Sequence, residues 1–174
     1  CDAVEMEKAV FAAAEIDGPV YIRTGRLPTD ICTTKDTPFT VGKATTLREG
    51  TDIAIIACGI MVPQALQAAE DLKAQGVNAK VINMHTIKPL DADAVLAAAK
   101  ECGAIVTAEE HSIIGGLGSA VAEVLADNSR VPFERVGIMD RFGQSGKPPV
   151  LFEAYGLTSK AIVEACQRVL ARKS

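Results

Sequence analysis

The chain has no tryptophan, only 4% aromatic residues and two histidines in 174 residues. A core must therefore be built from aliphatic layers. Two histidines without a third ligand do not make a zinc site. The five cysteines, Cys1, Cys32, Cys58, Cys102 and Cys166, never fall at a Cys-x-x-Cys or other metal-ligand spacing. Their odd number and scatter point to a reducing, cytoplasmic compartment, with Cys58 and Cys166 as small core residues. Lysine and arginine form no block before Arg172-Lys173, and the net charge is -4, which argues against a nucleic-acid backbone as partner. No apolar run approaches the ~20 residues of a membrane helix. The opening residues carry Asp2, Glu5, Glu7 and Lys8, unlike a signal peptide. Gly-x-Ser-x-Gly and P-loop motifs are missing too, and Ser145-Gly146-Lys147 is only a fragment of a phosphate motif. The first residue is Cys, not Met, so an excerpt of a longer polypeptide or a processed one is expected.

Aliphatic residues are what the chain has. The apolar fraction is 48%, arranged as short Val/Ile runs alternating with longer Ala-rich ones. That alternation predicts an α/β fold. Asp2 to Ile16 reads as a helix, with Asp2 and Glu5 as a capping box. Pro19 to Arg23 reads as a short strand. The polar stretch from Leu27 to Pro38 reads as a linker. Strands are predicted at Val41–Leu47, Asp52–Cys58, Ala79–Met84, Ala104–Glu109 and Phe133–Met139. Helices are predicted after Pro63 up to Gly76, from Asp91 to Cys102, at Ser119–Ala126, at Pro148–Tyr155 and at Thr158–Arg172. Strand-helix-strand alternation implies parallel pairing. The link from Leu47 to Asp52 is only about four residues, which predicts a hairpin and an antiparallel first strand.

Candidate functional groups gather at predicted strand ends. The Gly115-Gly116-Leu117-Gly118 loop precedes a helix, so it is either an anion seat or a tight turn that lets helix and sheet approach. His111 follows Glu109-Glu110. Near carboxylates would favour its protonated form, and it reads as an acid, a base, a substrate contact or a structural hydrogen bond. His85 lies after another strand and carries the same alternatives. Asp140-Arg141 is either a loop-fixing ion pair or part of an interface. Arg26 ends Tyr21-Ile22-Arg23-Thr24-Gly25-Arg26. A guanidinium there can grip a phosphate with two parallel hydrogen bonds or can simply be solvated.

Four segments together carry a resemblance: Tyr21 to Arg26, His85 to Asp91, Glu109 to Gly118, and Asp140 to Pro148. The chain resembles, over essentially its whole length, the carboxyl-terminal part of the transketolases, which are thiamine-diphosphate enzymes. The resemblance implies that residues 1–30 close a pyrimidine-binding domain, that 31–40 are a linker, and that 41–174 form a third α/β domain. That domain would be a three-layer open sheet of about five strands with one antiparallel edge strand. It also implies transfer of a two-carbon ketol unit between sugar phosphates, in a dimer, with thiamine diphosphate and Mg²⁺. Of the family's active-site residues only the substrate-phosphate arginine matches, at Arg26 and not at Arg23. No catalytic, cofactor-binding or metal-binding residue is expected in this chain. There is no Gly-Asp-Gly for the metal, since Asp17-Gly18 follows Ile16. The chain alone is thus expected to be inactive and to need the remaining transketolase domains or subunit. Residues Asp2 to Arg23 would lack packing partners and leave Val4, Val10, Phe11, Val20 and Ile22 partly exposed. Rival readings are the beta chain of a 2-oxo acid dehydrogenase, deoxyxylulose phosphate synthase, or a stand-alone module that binds a small anion or a partner. Thr24-Gly25-Arg26 and His111-Ser112-Ile113-Ile114 favour transketolase.

Overall fold

A computed structural model describes residues 1–173. A five-stranded sheet is built from β1 (Thr45–Arg48), β2 (Ile53–Ala57), β3 (Ala79–Asn83), β4 (Ile105–Ser112) and β5 (Phe133–Ile138). The strand order is β1-β3-β2-β4-β5. All neighbours are parallel except β1, which runs antiparallel to β3. The expected five-stranded mixed sheet is therefore present, with its antiparallel strand at an edge. The expected hairpin is not. β1 skips over β2 and pairs with β3, Thr45 opposite Asn83 and Thr46 opposite Ile82. The reason lies in β2: its neighbours β3 and β4 already occupy both of its hydrogen-bonding sides. A short loop fixes reach, not partner.

Among the described residues, six helices accompany the sheet: α1 (Ala3–Ala14), α2 (Met61–Lys73), α3 (Ala92–Cys102), α4 (Leu117–Asn128), α5 (Pro148–Tyr155) and α6 (Ser159–Leu170). Alternate residues of β2 supply two separate cores, as the two-residue period of a strand dictates. Ile53, Ile55 and Ala57 pack with α2 and α6 on one face. Ala54 and Ile56 pack with α3 and α4 on the other. All five are fully buried, consistent with a central strand read as an unbroken apolar run. Each such isoleucine contributes about 1.5–3 kcal/mol by burial. Cys102 and Cys166 are buried in these cores, and burial pushes the Cys166 thiol up to about 12.

Before β1, only α1 is regular. Pro19 to Arg23, expected as a strand, joins no sheet. Nothing pairs with its backbone, and an isolated strand has no ladder to stabilise it. The capping box at α1 is half formed. The Asp2 carboxylate accepts from the Glu5 amide at 2.9 Å. The Glu5 carboxylate does not return to Asp2 but accepts from the Asn83 side chain at the end of β3. Val10, Phe11, Val20 and Ile22 are exposed, Phe11 at 68%, as expected for apolar residues without a partner surface.

Candidate functional site

Arg23 and Arg26 differ in what holds them. Arg23 donates to the Glu110 carbonyl oxygen at 2.6 Å and lies 3.7 Å from the Glu110 carboxylate. Arg26 makes no hydrogen bond or ion pair among the described residues, and it is exposed. It lines a cavity of about 310 Å³, together with Gly25, Ile60, Glu110, Arg141 and Tyr155. The cavity lies between the irregular segment that carries Arg26 and the carboxyl ends of the sheet with α5. A guanidinium whose donors are not satisfied by protein can offer two of them to a phosphate without breaking an existing bond.

The glycine loop is built for a different purpose from Arg26. Glu109, on β4 and 2% exposed, turns its carboxylate into the first turn of α4. Its two oxygens accept from the Leu117 and Gly118 amides, each at 2.7 Å. The Gly115 amide donates to the Ser119 hydroxyl at 2.9 Å. The anion at this helix N-terminus is thus part of the protein, placed where free amides and the helix dipole favour negative charge. The glycines make room for it. A Cβ on Gly116 would stand 2.0 Å from a Glu109 oxygen, and one on Gly118 would meet Arg135 at 2.7 Å. Of the two roles open from sequence, the structure has the close approach. The small-anion module loses its seat to Glu109.

The remaining sequence candidates are not brought together. His111 is exposed, and its Nδ1 lies 2.8 Å from the Ser112 carbonyl oxygen and 3.9 Å from the Glu109 carboxylate. His85 stacks on Phe39 with ring centroids 4.2 Å apart, and its Nδ1 meets the Thr86 hydroxyl at 2.9 Å. Its Nε2 is buried without a partner. Burial lowers the His85 pKa, against the opposing charge of Glu5. Asp140 adopts a left-handed backbone at φ 45°. It forms no ion pair with Arg141, contrary to one of the two expectations for this dipeptide. Arg141 instead donates to the Ala154 carbonyl oxygen and lies 4.2 Å over the Tyr155 ring, which fixes the loop onto α5.

Two acids matter more than sequence alone showed. One is Glu109. The other is Asp2, which closes the whole segment before β1. Besides capping α1, Asp2 accepts from the Cys32 amide at 2.8 Å, the Thr33 amide at 2.6 Å and the Thr33 hydroxyl at 2.8 Å. Burial alone would raise its pKa, but these bonds and that from Glu5 outweigh burial and hold it well below the carboxylate range. Lys8 adds a second tie, to the Thr34 and Thr37 carbonyl oxygens at 2.8 and 2.5 Å. A sequence signal existed for the cap but not for the long-range partners. Among the described residues, the one cluster of metal-ligand type is Cys1, Asp2 and Cys32. Both Asp2 oxygens are already engaged there, so a cation would have to break this clasp.

Comparison with protein families matches residues 42–162 to "Transketolase, C-terminal domain". The chain is 50% identical over 173 residues to the 6-deoxy-6-sulfo-D-fructose transketolase subunit SqwH of Clostridium sp. (strain MSTE9), covering 99% of this chain and 54% of that protein. It is 42% identical over 163 residues to an apulose-4-phosphate transketolase subunit of Phocaeicola vulgatus, covering 93% and 52%. Among solved structures, one described as a split gene transketolase, inactive beta4 tetramer, superposes with a TM-score of 0.96 at 47% identity. That match covers 100% of this chain and 57% of the other. The chain thus spans about half the length of the curated relatives it matches.

Proposed function

The chain belongs to the transketolase C-terminal domain family, and from that premise we propose that it serves as the carboxyl-terminal portion of an enzyme moving two-carbon ketol units between sugar phosphates. Residues 1–30 close the pyrimidine-binding domain, 31–40 link, and 41–174 form the third domain. The partner is the remaining transketolase section or subunit, within a dimer or higher assembly. Work in the cytoplasm suits five free thiols. The observation that carries the reading is 50% identity to a transketolase subunit over 99% of this chain and 54% of that protein, combined with an unengaged Arg26 lining a cavity.

Thiamine diphosphate with Mg²⁺ belongs to this family, and the residues present here do not fit it. The helix N-terminus with the glycine loop has its Leu117 and Gly118 amides filled by Glu109. No Gly-Asp-Gly is present. This chain contributes Arg26 toward the phosphate of the sugar, and a surface on which the coenzyme-holding section docks. The relative described as an inactive beta4 tetramer supports dependence on another section. The test is reconstitution. The chain alone, with thiamine diphosphate, Mg²⁺ and sugar phosphates, gives no turnover, and adding the coenzyme-holding section restores it. Turnover by the lone chain would overturn the proposal.

A second reading, deoxyxylulose phosphate synthase, is favoured by a relative of that name from Geobacter sulfurreducens at 40% identity over 179 residues, covering 99% of this chain and 28% of that protein. Donor choice decides between them. The reconstituted enzyme consumes a ketose phosphate under the first reading and pyruvate under the second.

A further inference from the structure

Asp2 draws residues 32 and 33 against the start of α1 through three hydrogen bonds. Directly beside this clasp, the Cys32 thiol donates to the Cys1 sulfur at 3.6 Å. Both cysteines are free and packed on the edge of the core that α2 and α6 share; the Cys1 side chain is fully buried, while Cys32 lines a cavity of about 410 Å³ with Asp30, Arg48 and Glu70. The two sulfurs come from opposite ends of the segment that contains α1 and Arg26. Between α1 and the turn at residues 35–37 this segment has no helix or strand. The clasp holds the ends of that loop, so the sulfurs need to close by only about 1.5 Å to reach bonding distance.

We propose that Cys1 and Cys32 form an oxidisable dithiol, which closes to a disulfide on reaction with a low-molecular-weight disulfide of the glutathione type. The Cys32 thiolate attacks one sulfur of the oxidant, breaks its S–S bond and expels one glutathione thiolate. Cys1 then attacks the Cys32 sulfur of the mixed disulfide. That step forms the Cys1–Cys32 bond, passes the Cys1 proton to the departing glutathione thiolate, and releases the second glutathione. The two protein thiols give up two electrons, and the oxidant becomes two thiols. The order of attack follows from the environment. The Cys1 side chain is closed off while Cys32 faces the cavity, which leaves the first attack to Cys32; burial, then the charge of Asp2, pushes that thiol up to about 12, so the step quickens as pH rises. Of the other thiols, Cys102 and Cys166 are buried. The product ties the start of α1 to the far side of Arg26 by a covalent bond in addition to the Asp2 clasp. Oxidation thereby restrains the segment that presents Arg26.

The experiment incubates the purified chain in excess oxidised glutathione, blocks free thiols, and maps peptides by mass spectrometry. A Cys1–Cys32 linked peptide is expected to exceed the glutathione adducts of either residue by at least about tenfold, since the second step is intramolecular. Cys1→Ser is expected to stop at the Cys32 glutathione adduct. Trypsin is expected to cut after Arg23 and Arg26 more slowly in the oxidised chain than in the same chain after reduction. A wild-type chain that stays reduced, that stops at mixed adducts, or that links Cys1 or Cys32 to Cys58 overturns the proposal. The readout is chemical and requires no turnover, so it stands or falls apart from the catalytic role.

Discussion

Replacing Glu109 by Gln keeps the volume of the side chain and removes its charge. The native carboxylate accepts two hydrogen bonds of 2.7 Å from the first turn of α4. A Gln carbonyl can keep one of them. Its amino group then faces the other N–H, donor against donor, in a site where Glu109 is 2% exposed. An unsatisfied buried donor costs about 1–3 kcal/mol. Loss of charge at a buried helix N-terminus removes up to ~2 kcal/mol more. Relief of carboxylate desolvation offsets part of this. The net expectation is a loss of about 2–4 kcal/mol, or a Tm lowered by about 4–16 °C for a chain of this size. Glu109→Ala is the companion variant. It removes both acceptors and opens the seat, so formate, acetate or phosphate should recover part of the loss. At ten times its dissociation constant an anion returns about 1.4 kcal/mol. Thermal and urea melts followed by circular dichroism, with and without the anion, measure both effects. Glu109→Gln within ~0.5 kcal/mol of the native chain, or Glu109→Ala indifferent to small anions, would refute the capping role.

Three further outcomes are expected. Gly50→Ala should destabilise severely, by about 3 kcal/mol or more, because its Cβ would stand 2.3 Å from the Ala79 carbonyl carbon and neither backbone can yield; a urea melt with an unchanged midpoint contradicts this. Asp2→Asn should lower the Tm at neutral pH. Because the folded Asp2 pKa is held below its ordinary value of 3.8, its contribution is complete above that value and fades as pH falls toward the folded one. The gap between native and variant Tm should therefore narrow below about pH 4, and a gap that stays constant or widens there counts against the clasp. In the reconstituted enzyme, Arg26→Ala should raise KM for phosphorylated sugars by about 10–100-fold, the worth of a charge-assisted bond, with little effect on unphosphorylated ones. Arg23→Ala should do much less, since Arg23 is already held by Glu110; equal effects of the two variants would remove the distinction between them.

Much of the fold was legible because each half of the pattern had a local cause. The unbroken run from Ile53 to Ala57 announced a strand covered on both faces, and both cores are filled by its alternate residues. Asp91 before α3 and Gly103 after it announced that helix at both ends: Asp91 accepts from the Ala94 amide, and Gly103 is left-handed at φ 63°. What sequence did not reveal was long-range. The partner of β1 depends on which edges β2 leaves open, and no residue near Thr45 encodes that. Pro19 to Arg23 has strand-like composition, but a strand also needs a neighbour. At the site, the resemblance set Arg26 apart from Arg23, but the physical difference, Glu110 holding Arg23, joins residues far apart in the chain and was not legible. Glu109 looked like a neighbour of His111. Its true address is the Leu117 and Gly118 amides, eight and nine residues on, and the glycines there were the sole hint that something must fit beneath the turn.

The pairing of β1 with β3 also sets an order of events during synthesis. Thr45 and Thr46 leave the ribosome well before Asn83 and Ile82, their partners. At ~5–20 residues per second the interval is about 2–8 s. Throughout it, this short edge segment has no sheet to join, while β2 must wait for the same strand to gain its first neighbour. The arrival of β3 therefore docks two earlier strands at once, which makes it the step on which nascent assembly turns.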